Sequence, residues 1–322
     1  MKKVLNYRHE IQIMRNEMEQ TSRSNGSVTV SPGNAVAKEN KTFDIVYTVG
    51  EDTIFIGGVV RFTIPFGFTQ PQADMPLKPG YCTAATDRAG ASVKCVIVKS
   101  EWWKRGNDRT KLENVSEHVG THVWVKVSGR ALTKGDTVVL RYGDTSYSEM
   151  AAAAVCPTSG PVQFDAATDG DGRLKAPYSG FYLTENPAVV LVEPGRPRRF
   201  EVILPSDISS GLPFKVVVFP VDSCFNPLDD YEGEADCFLN DSLAATVRWA
   251  KSEKGKSALV HLMLTTQEKG VVKVRVENKD LAGESNPAVV DRDAGQCRHY
   301  WGDLHGHTGI QWGRGSGRAY YE

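Results

Sequence analysis

The sequence predicts a mainly β protein with two β-sandwich domains in series, and three observations carry that prediction. Apolar residues recur at every second position in short stretches: Phe43, Ile45 and Tyr47 alternate with Asp44, Val46 and Thr48. That period places one set of side chains on a single face of a strand. Turn residues punctuate the stretches, as at Asp87-Arg88-Ala89-Gly90, Lys134-Gly135-Asp136 and Asn226-Pro227. No convincing helical spacing separates the strands, and strands this closely spaced indicate sandwiches.

The elements divide the chain into four stretches. In residues 1–26, Ile11, Met14 and Met18 share a helical face, and the polar Thr21–Gly26 reads as a linker. Residues 27–159 form the first predicted sandwich. Its strands begin with Val28 and Val30 and continue through Gly57–Pro65, where proline ends the pairing. They then run through Thr83–Thr86, Ser92–Lys99, His122–Val127 and Thr137–Tyr142. Residues 160–292 form the second, an immunoglobulin-like sandwich with strands at Val189–Val192, Phe200–Leu204, Phe214–Pro220, Ala244–Trp249, Ala258–Leu264 and Val271–Glu277. Residues 293–322 change register. Arg298–His305 reads as a fresh strand, Gly313–Gly317 as a loop and Arg318–Glu322 as the opening of a helix, together the start of a (β/α) barrel.

Composition excludes several classes. With 38 basic and 39 acidic residues the net charge is −1, so nothing indicates a nucleic-acid or membrane partner. No run approaches the roughly 18 apolar residues of a membrane span. The first twenty residues carry Lys2, Lys3, Arg8 and Arg15 without an apolar core, so they do not read as a secretory signal and a cytoplasmic protein is expected. Six cysteines are too sparse for a disulfide scaffold. Cys82 with Cys95, and Cys224 with Cys237, could be cross-strand neighbours, but free thiols are expected in that compartment. Asp165–Gly172 fails the EF-hand pattern because Ala stands at 167. The acidic run Asp229–Glu234 reads as a solvated loop, and of Trp102 and Trp103 one is expected in a core.

One stretch reads as chemistry: Tyr300-Trp301-Gly302-Asp303-Leu304-His305-Gly306-His307-Thr308. On a strand, Asp303, His305 and His307 share a face, and two imidazoles with a carboxylate make a divalent-metal half-site. The run from Gly302 to Thr308 resembles the first motif of the polymerase-and-histidinol-phosphatase (PHP) superfamily, metal-dependent phosphoesterases on a distorted (β/α)7 barrel. Phe62–Phe66, Lys134–Asp136, Tyr142–Asp144 and Asp222–Pro227 resemble the layout of a bacterial domain-of-unknown-function family, in which β-sandwiches precede a PHP-like domain.

The resemblance implies that His305 and His307 are metal ligands and that Asp303 is a supporting group or further ligand. It implies zinc, manganese or iron in a full-length protein, acting on a small-molecule or phosphoester substrate. Such a cation lowers the pKa of bound water from about 15.7 towards about 7. Relatives often show a serine and an Asp-Gly where this chain has Gly309–Gly313, which puts the substrate loop in doubt. A barrel takes roughly 200–250 residues, and only 25 follow Cys297. The expectation is therefore the N-terminal region of a PHP-like hydrolase, with metal binding weak or absent and no turnover in this fragment. The alternative is a non-catalytic immunoglobulin-like binding module for a glycan or protein partner.

Overall fold

A computed structural model of the chain describes residues 25–98, 121–170, 182–184, 186–250 and 258–291. The chain divides into two compact units, with the division between Glu193 and Pro194.

In the first unit the strands are β1 (Ser27–Ser31), β2 (Asn34–Val36), β3 (Asn40–Lys41), β4 (Phe43–Thr48), β5 (Val59–Ile64), β6 (Cys82–Thr86), β7 (Ser92–Val98) and β8 (Thr121–Ser128). They continue with β9 (Thr137–Tyr142), β10 (Ala153–Ala154), β11 (Gly160–Asp169), β12 (Tyr182–Leu183) and β13 (Ala188–Glu193). Apart from a small two-stranded sheet of β10 and β3, one large sheet runs β1-β4-β9-β6 and the other β2-β13-β11-β5-β8-β7, with β12 also on β11. The predicted alternation sets the interface between them. Phe43, Ile45, Tyr47, Val138, Leu140 and Tyr142 from the first sheet share one core with Phe62, Ile64, Val123, Val125, Phe164 and Val190 from the second. A sandwich results because each sheet has one apolar face to hide. A short 3-10 turn at Glu149–Ala151 is the one helical element among the described residues, and no helix there is long and apolar enough to cross a membrane.

Residues 160–193, which the sequence placed in the second sandwich, pair within the first unit. The leading half of β11 binds β13 through Gly160↔Val192 to Phe164↔Ala188. Its trailing half binds β5 through Asp165↔Thr63 to Asp169↔Val59. Local alternation reports that a strand exists and which side it buries; it carries no information about which sheet accepts that strand.

The second unit contains β14 (Arg199–Ile203), β15 (Asp207–Ile208), β16 (Phe214–Val221), β17 (Gly233–Leu239), β18 (Ser242–Trp249), β19 (Val260–Leu264), β20 (Gly270–Val272), β21 (Val274–Glu277), β22 (Ala282–Glu284) and β23 (Ala288–Val290). They form sheets β14-β16-β19, β15-β23-β20 and β18-β17-β21-β22. One core joins them, with Phe200, Val216, Val218, Cys237, Val247 and Val276 at its centre. Trp249 closes one side: its ring stacks on Phe200 at 4.9 Å and 3°, and its indole N–H donates to the Ala258 carbonyl at 2.7 Å. Tyr231, inside the acidic run, sets its ring edge-on to both, at 5.9 Å from Phe200 and 5.4 Å from Trp249.

The predicted barrel opening at 293–322, the N-terminal helix and Trp102 and Trp103 lie outside the described residues. All five described cysteines (Cys82, Cys95, Cys156, Cys224 and Cys237) are free thiols. Cys82 sits in the β6 sheet and Cys95 in the β7 sheet, so the two are not neighbours on one ladder.

Where β22 passes β14 there is no room for a side chain, because a Cβ on Gly283 would run into the Phe200 carbonyl oxygen. Gly283→Ala should therefore destabilise the protein by about 1–3 kcal/mol through forced backbone displacement. A urea-unfolding midpoint equal to that of the wild type would show that the two strands do not approach this closely.

Candidate functional site

Asp303, His305 and His307, the residues expected to hold a divalent metal, lie outside the described residues. Among the described residues no group of three or more His, Cys, Asp or Glu side chains is placed to hold a metal ion. Four of the described thiols are made poor nucleophiles by burial, which pushes Cys95 up to about 12 and Cys237 up to about 11, and raises Cys82 and Cys156 as well. His122 is only 1% exposed and sits 3.3 Å from the Thr63 hydroxyl on the neighbouring strand, so it is buried and not presented to solvent.

The aspartates in the motifs that suggested a family layout act as turn acceptors. Asp136 receives the Thr133 N–H at 2.7 Å and the Thr133 hydroxyl at 3.1 Å. Asp144 receives the Ser146 N–H at 2.9 Å, the Ser146 hydroxyl at 2.6 Å and the Thr83 hydroxyl at 2.5 Å. Burial alone would raise the Asp144 pKa, but these bonds favour the anion and hold it below the ordinary carboxylate value. Such side-chain turns recur wherever strands reverse, whatever the protein does.

One end of the first sandwich carries an unusual surface. The loops 65–81 and 143–152 expose Phe66, Met75, Leu77, Tyr147 and Met150, from 52% at Met75 to 77% at Phe66. These loops are tied to each other. Gly80 N–H donates to the Ala151 carbonyl at 2.9 Å and Asp144 N–H to the Tyr81 carbonyl at 2.8 Å. Tyr81 and Tyr147 meet edge-on at 6.1 Å. Thr69 is rooted in the core side, because the Tyr142 hydroxyl donates to its carbonyl and its own hydroxyl accepts the Ala154 N–H at 2.8 Å.

Gln72 organises the tip. Its amide N–H2 donates to the carbonyls of Met75 at 2.7 Å and Lys78 at 3.1 Å, while its oxygen accepts the N–H groups of Asp74 at 3.2 Å and Met75 at 2.8 Å. Ser148 caps the 3-10 turn by accepting the Met150 N–H at 3.2 Å. Large apolar side chains are thus held in water on loops fixed by hydrogen bonds.

A second ordered loop, 222–227, lies in the second unit. Asp222 is 2% exposed. One carboxylate oxygen accepts the N–H groups of Cys224 at 2.7 Å and Asn226 at 2.9 Å. The other accepts the Gly195 N–H and the Asn226 side-chain amide, both at 2.8 Å. Burial pushes the Asp222 pKa up, but the bonds from Asn226, Gly195 and Cys224 outweigh it and the carboxyl ends below its ordinary value. The loop forces Phe225 to φ 67° while leaving it 58% exposed, with the Arg199 guanidinium 3.7 Å above its ring. A left-handed backbone costs a bulky residue about 1–2 kcal/mol. Neither loop was singled out from sequence for exposed aromatics, because an apolar residue in a loop reads the same whether it is buried or not.

No model of a known protein family matches the chain, and no curated protein does. Solved structures that match part of the chain include the Escherichia coli adhesin FdeC, at 13% identity and TM-score 0.30, over 82% of this chain and 62% of that one. A putative membrane-anchored protein from Corynebacterium diphtheriae gives 13% and 0.26, over 85% and 55%. The pilus backbone from Streptococcus pneumoniae gives 9% and 0.26, over 83% and 58%. The chain spans less than two thirds of the length of each of these three. At this level of likeness they assign neither a family nor a function.

The PHP resemblance is corrected by these findings. No family model matches the chain, that of a phosphoesterase included, and no curated relative does. A seven-residue motif and a series of aspartate turns are too short to specify a phosphoesterase. The reading of the chain as the N-terminal region of a PHP-like hydrolase does not stand.

Asp222→Ala should cost about 1.5–3 kcal/mol per lost charged hydrogen bond at most, shared over a relaxing loop. Because the folded pKa is depressed, the stabilisation is complete above the unfolded value of about 3.9 and is lost as pH falls from there through the folded pKa. Urea melts at pH 7 and pH 2.5 check this, since the difference between wild type and variant should shrink at the lower pH. A pH-independent difference would show that the carboxylate charge is not what holds the loop.

Proposed function

We propose that the chain is a non-catalytic, immunoglobulin-like binding module that engages a protein partner through the loop end of its first unit. The observation that carries this reading is the set of exposed side chains Phe66, Met75, Leu77, Tyr147 and Met150 on loops locked by Gln72, Thr69 and Gly80. Holding apolar groups in water opposes the hydrophobic effect, by roughly 25 cal/mol for each Å² left uncovered. A partner that covers them recovers that free energy. Fixing the loops beforehand removes part of the ordering cost of association, which commonly runs at about 0.5–1.5 kcal/mol per immobilised side chain.

The residue types suit protein more than carbohydrate. Met and Leu supply adaptable apolar contact, as at many protein interfaces, whereas sugar sites rely on flat aromatic faces beside hydrogen-bonding groups. Tyr147, set edge-on against Tyr81, contributes a rigid amphipathic ring of the kind enriched at binding hot spots.

The test uses a photo-crosslinking amino acid placed at Leu77, at Tyr147 and, as a control in the other unit, at Leu243, with native extracts of the source organism. Expected is one crosslinked protein at Leu77 and Tyr147, displaced by unlabelled wild type and not by the Met75→Ser, Leu77→Ser, Met150→Ser triple variant. That variant should fold normally, since exposed substitutions usually stay within about 0.5 kcal/mol. Gln72→Ala should weaken competition about three- to tenfold by loosening a loop whose apolar side chains remain in place. Equal labelling at Leu243, or displacement by the triple variant, would remove the loop end as the binding surface. Labelling abolished by glycosidase and insensitive to protease would move the reading to a glycan.

A further inference from the structure

We propose that the Phe225 loop, together with Arg196, Arg198 and Arg199, forms a second recognition site that takes an extended acidic peptide segment carrying an apolar side chain beside its carboxylates. It lies in the second unit and does not depend on the loop end of the first.

The backbone at Phe225 comes first. Its φ of 67° is a conformation glycine adopts without strain, and its ring is 58% exposed, so the fold gains little from phenylalanine there. A strained, bulky residue kept in place by its surroundings is a pointer to function. Here the surroundings are rigid. Both Asp222 oxygens hold the loop, Phe225 N–H donates to the Asp222 carbonyl at 3.2 Å, and Asp222 N–H donates to the Asn226 carbonyl at 3.0 Å. The basic segment is fastened to the same turn through Gly195 N–H on Asp222 and Arg198 N–H on the Val221 carbonyl at 2.7 Å.

The segment from Arg196 to Arg199 carries three arginines and no acidic residue. Arg196 and Arg198 are exposed, and among the described residues neither has an ion-pair partner. Arg199 stacks on the Phe225 ring and gives one edge of its guanidinium to Glu201 at 2.5 Å. Asp222, the carboxylate inside the loop, is consumed by backbone and amide donors and is buried. Guanidinium forks match carboxylates two bonds at a time, and the aromatic ring beside them offers an apolar contact. A sulfated polysaccharide would use the arginines and leave the ring without a role, so the combination favours a peptide.

Fluorescence anisotropy on the full chain tests this, with a fluorescein-labelled Glu-Glu-Leu-Glu-Glu peptide as the probe. Binding should weaken as salt rises, and the all-glutamine analogue should bind at least about tenfold more weakly. The Arg196→Ala, Arg198→Ala double variant should lose about tenfold or more. Phe225→Gly should lose about three- to tenfold, while its thermal midpoint stays level or rises because strain is removed. That opposite movement separates recognition from simple unfolding. Wild-type affinity in either variant, equal binding of the glutamine analogue, or binding of a heparin oligosaccharide without binding of the peptide would each overturn the proposal.

Discussion

Everything in the first unit depends on the ring packing around Phe43. That side chain is fully buried and touches three others: Phe164 at 5.7 Å, Phe68 at 5.9 Å and Tyr142 at 6.3 Å. Phe43 and Tyr142 come from one sheet and Phe164 from the other, so the cluster is where the two layers are joined. Phe68 belongs to neither; it is the root of the loop 65–81 and meets Phe164 at 5.4 Å. The same aromatic contacts that bury the core therefore fix the base of the loop that carries the exposed apolar side chains. Edge-to-face pairs of this kind add about 0.5–1.5 kcal/mol each beyond their buried area, and their geometry transmits the position of the core to the surface.

The two units use one chemical device for different ends. Asp136, Asp144 and Asp222 all accept N–H or hydroxyl donors from residues within a few positions, which fixes a reversal of the chain. At Asp136 and Asp144 the result is a compact turn. At Asp222 the same bonds also capture Gly195 from 27 residues away, and the loop they close pushes a phenylalanine outward in a strained conformation. The chemistry of a turn and of a presented side chain cannot be told apart by residue type. What differs is what the surrounding backbone must bend to accommodate.

Much of the fold was legible in the sequence. The alternation at Phe43–Thr48 is a strand with its predicted face buried, and the stretches Val59–Ile64 and Thr137–Tyr142 are strands as read. Asp87–Gly90, a hairpin signal in the sequence, does separate two strands, but they enter different sheets and form no hairpin. The extent of the first unit was not legible. β11 looks locally like any other strand, and its assignment follows from ladder partners more than 90 residues away in sequence, such as Asp165 on Thr63. The candidate site was less legible still, and the motif that drew most attention, Asp303 with His305 and His307, lies outside the described residues.

The sequence by itself determined a mainly β chain, because a two-residue period and turn-forming aspartates act through neighbours and need no distant partner. Tertiary structure alone decided which strands share a sheet and which apolar residues stay in water. Met75, Leu77, Met150 and Phe225 are as hydrophobic as the core residues Ile54, Leu132 and Phe62, yet the former are exposed and the latter buried. Hydrophobicity is a property of the side chain. Burial belongs to the packing that surrounds it, and that packing exists only once remote segments have met.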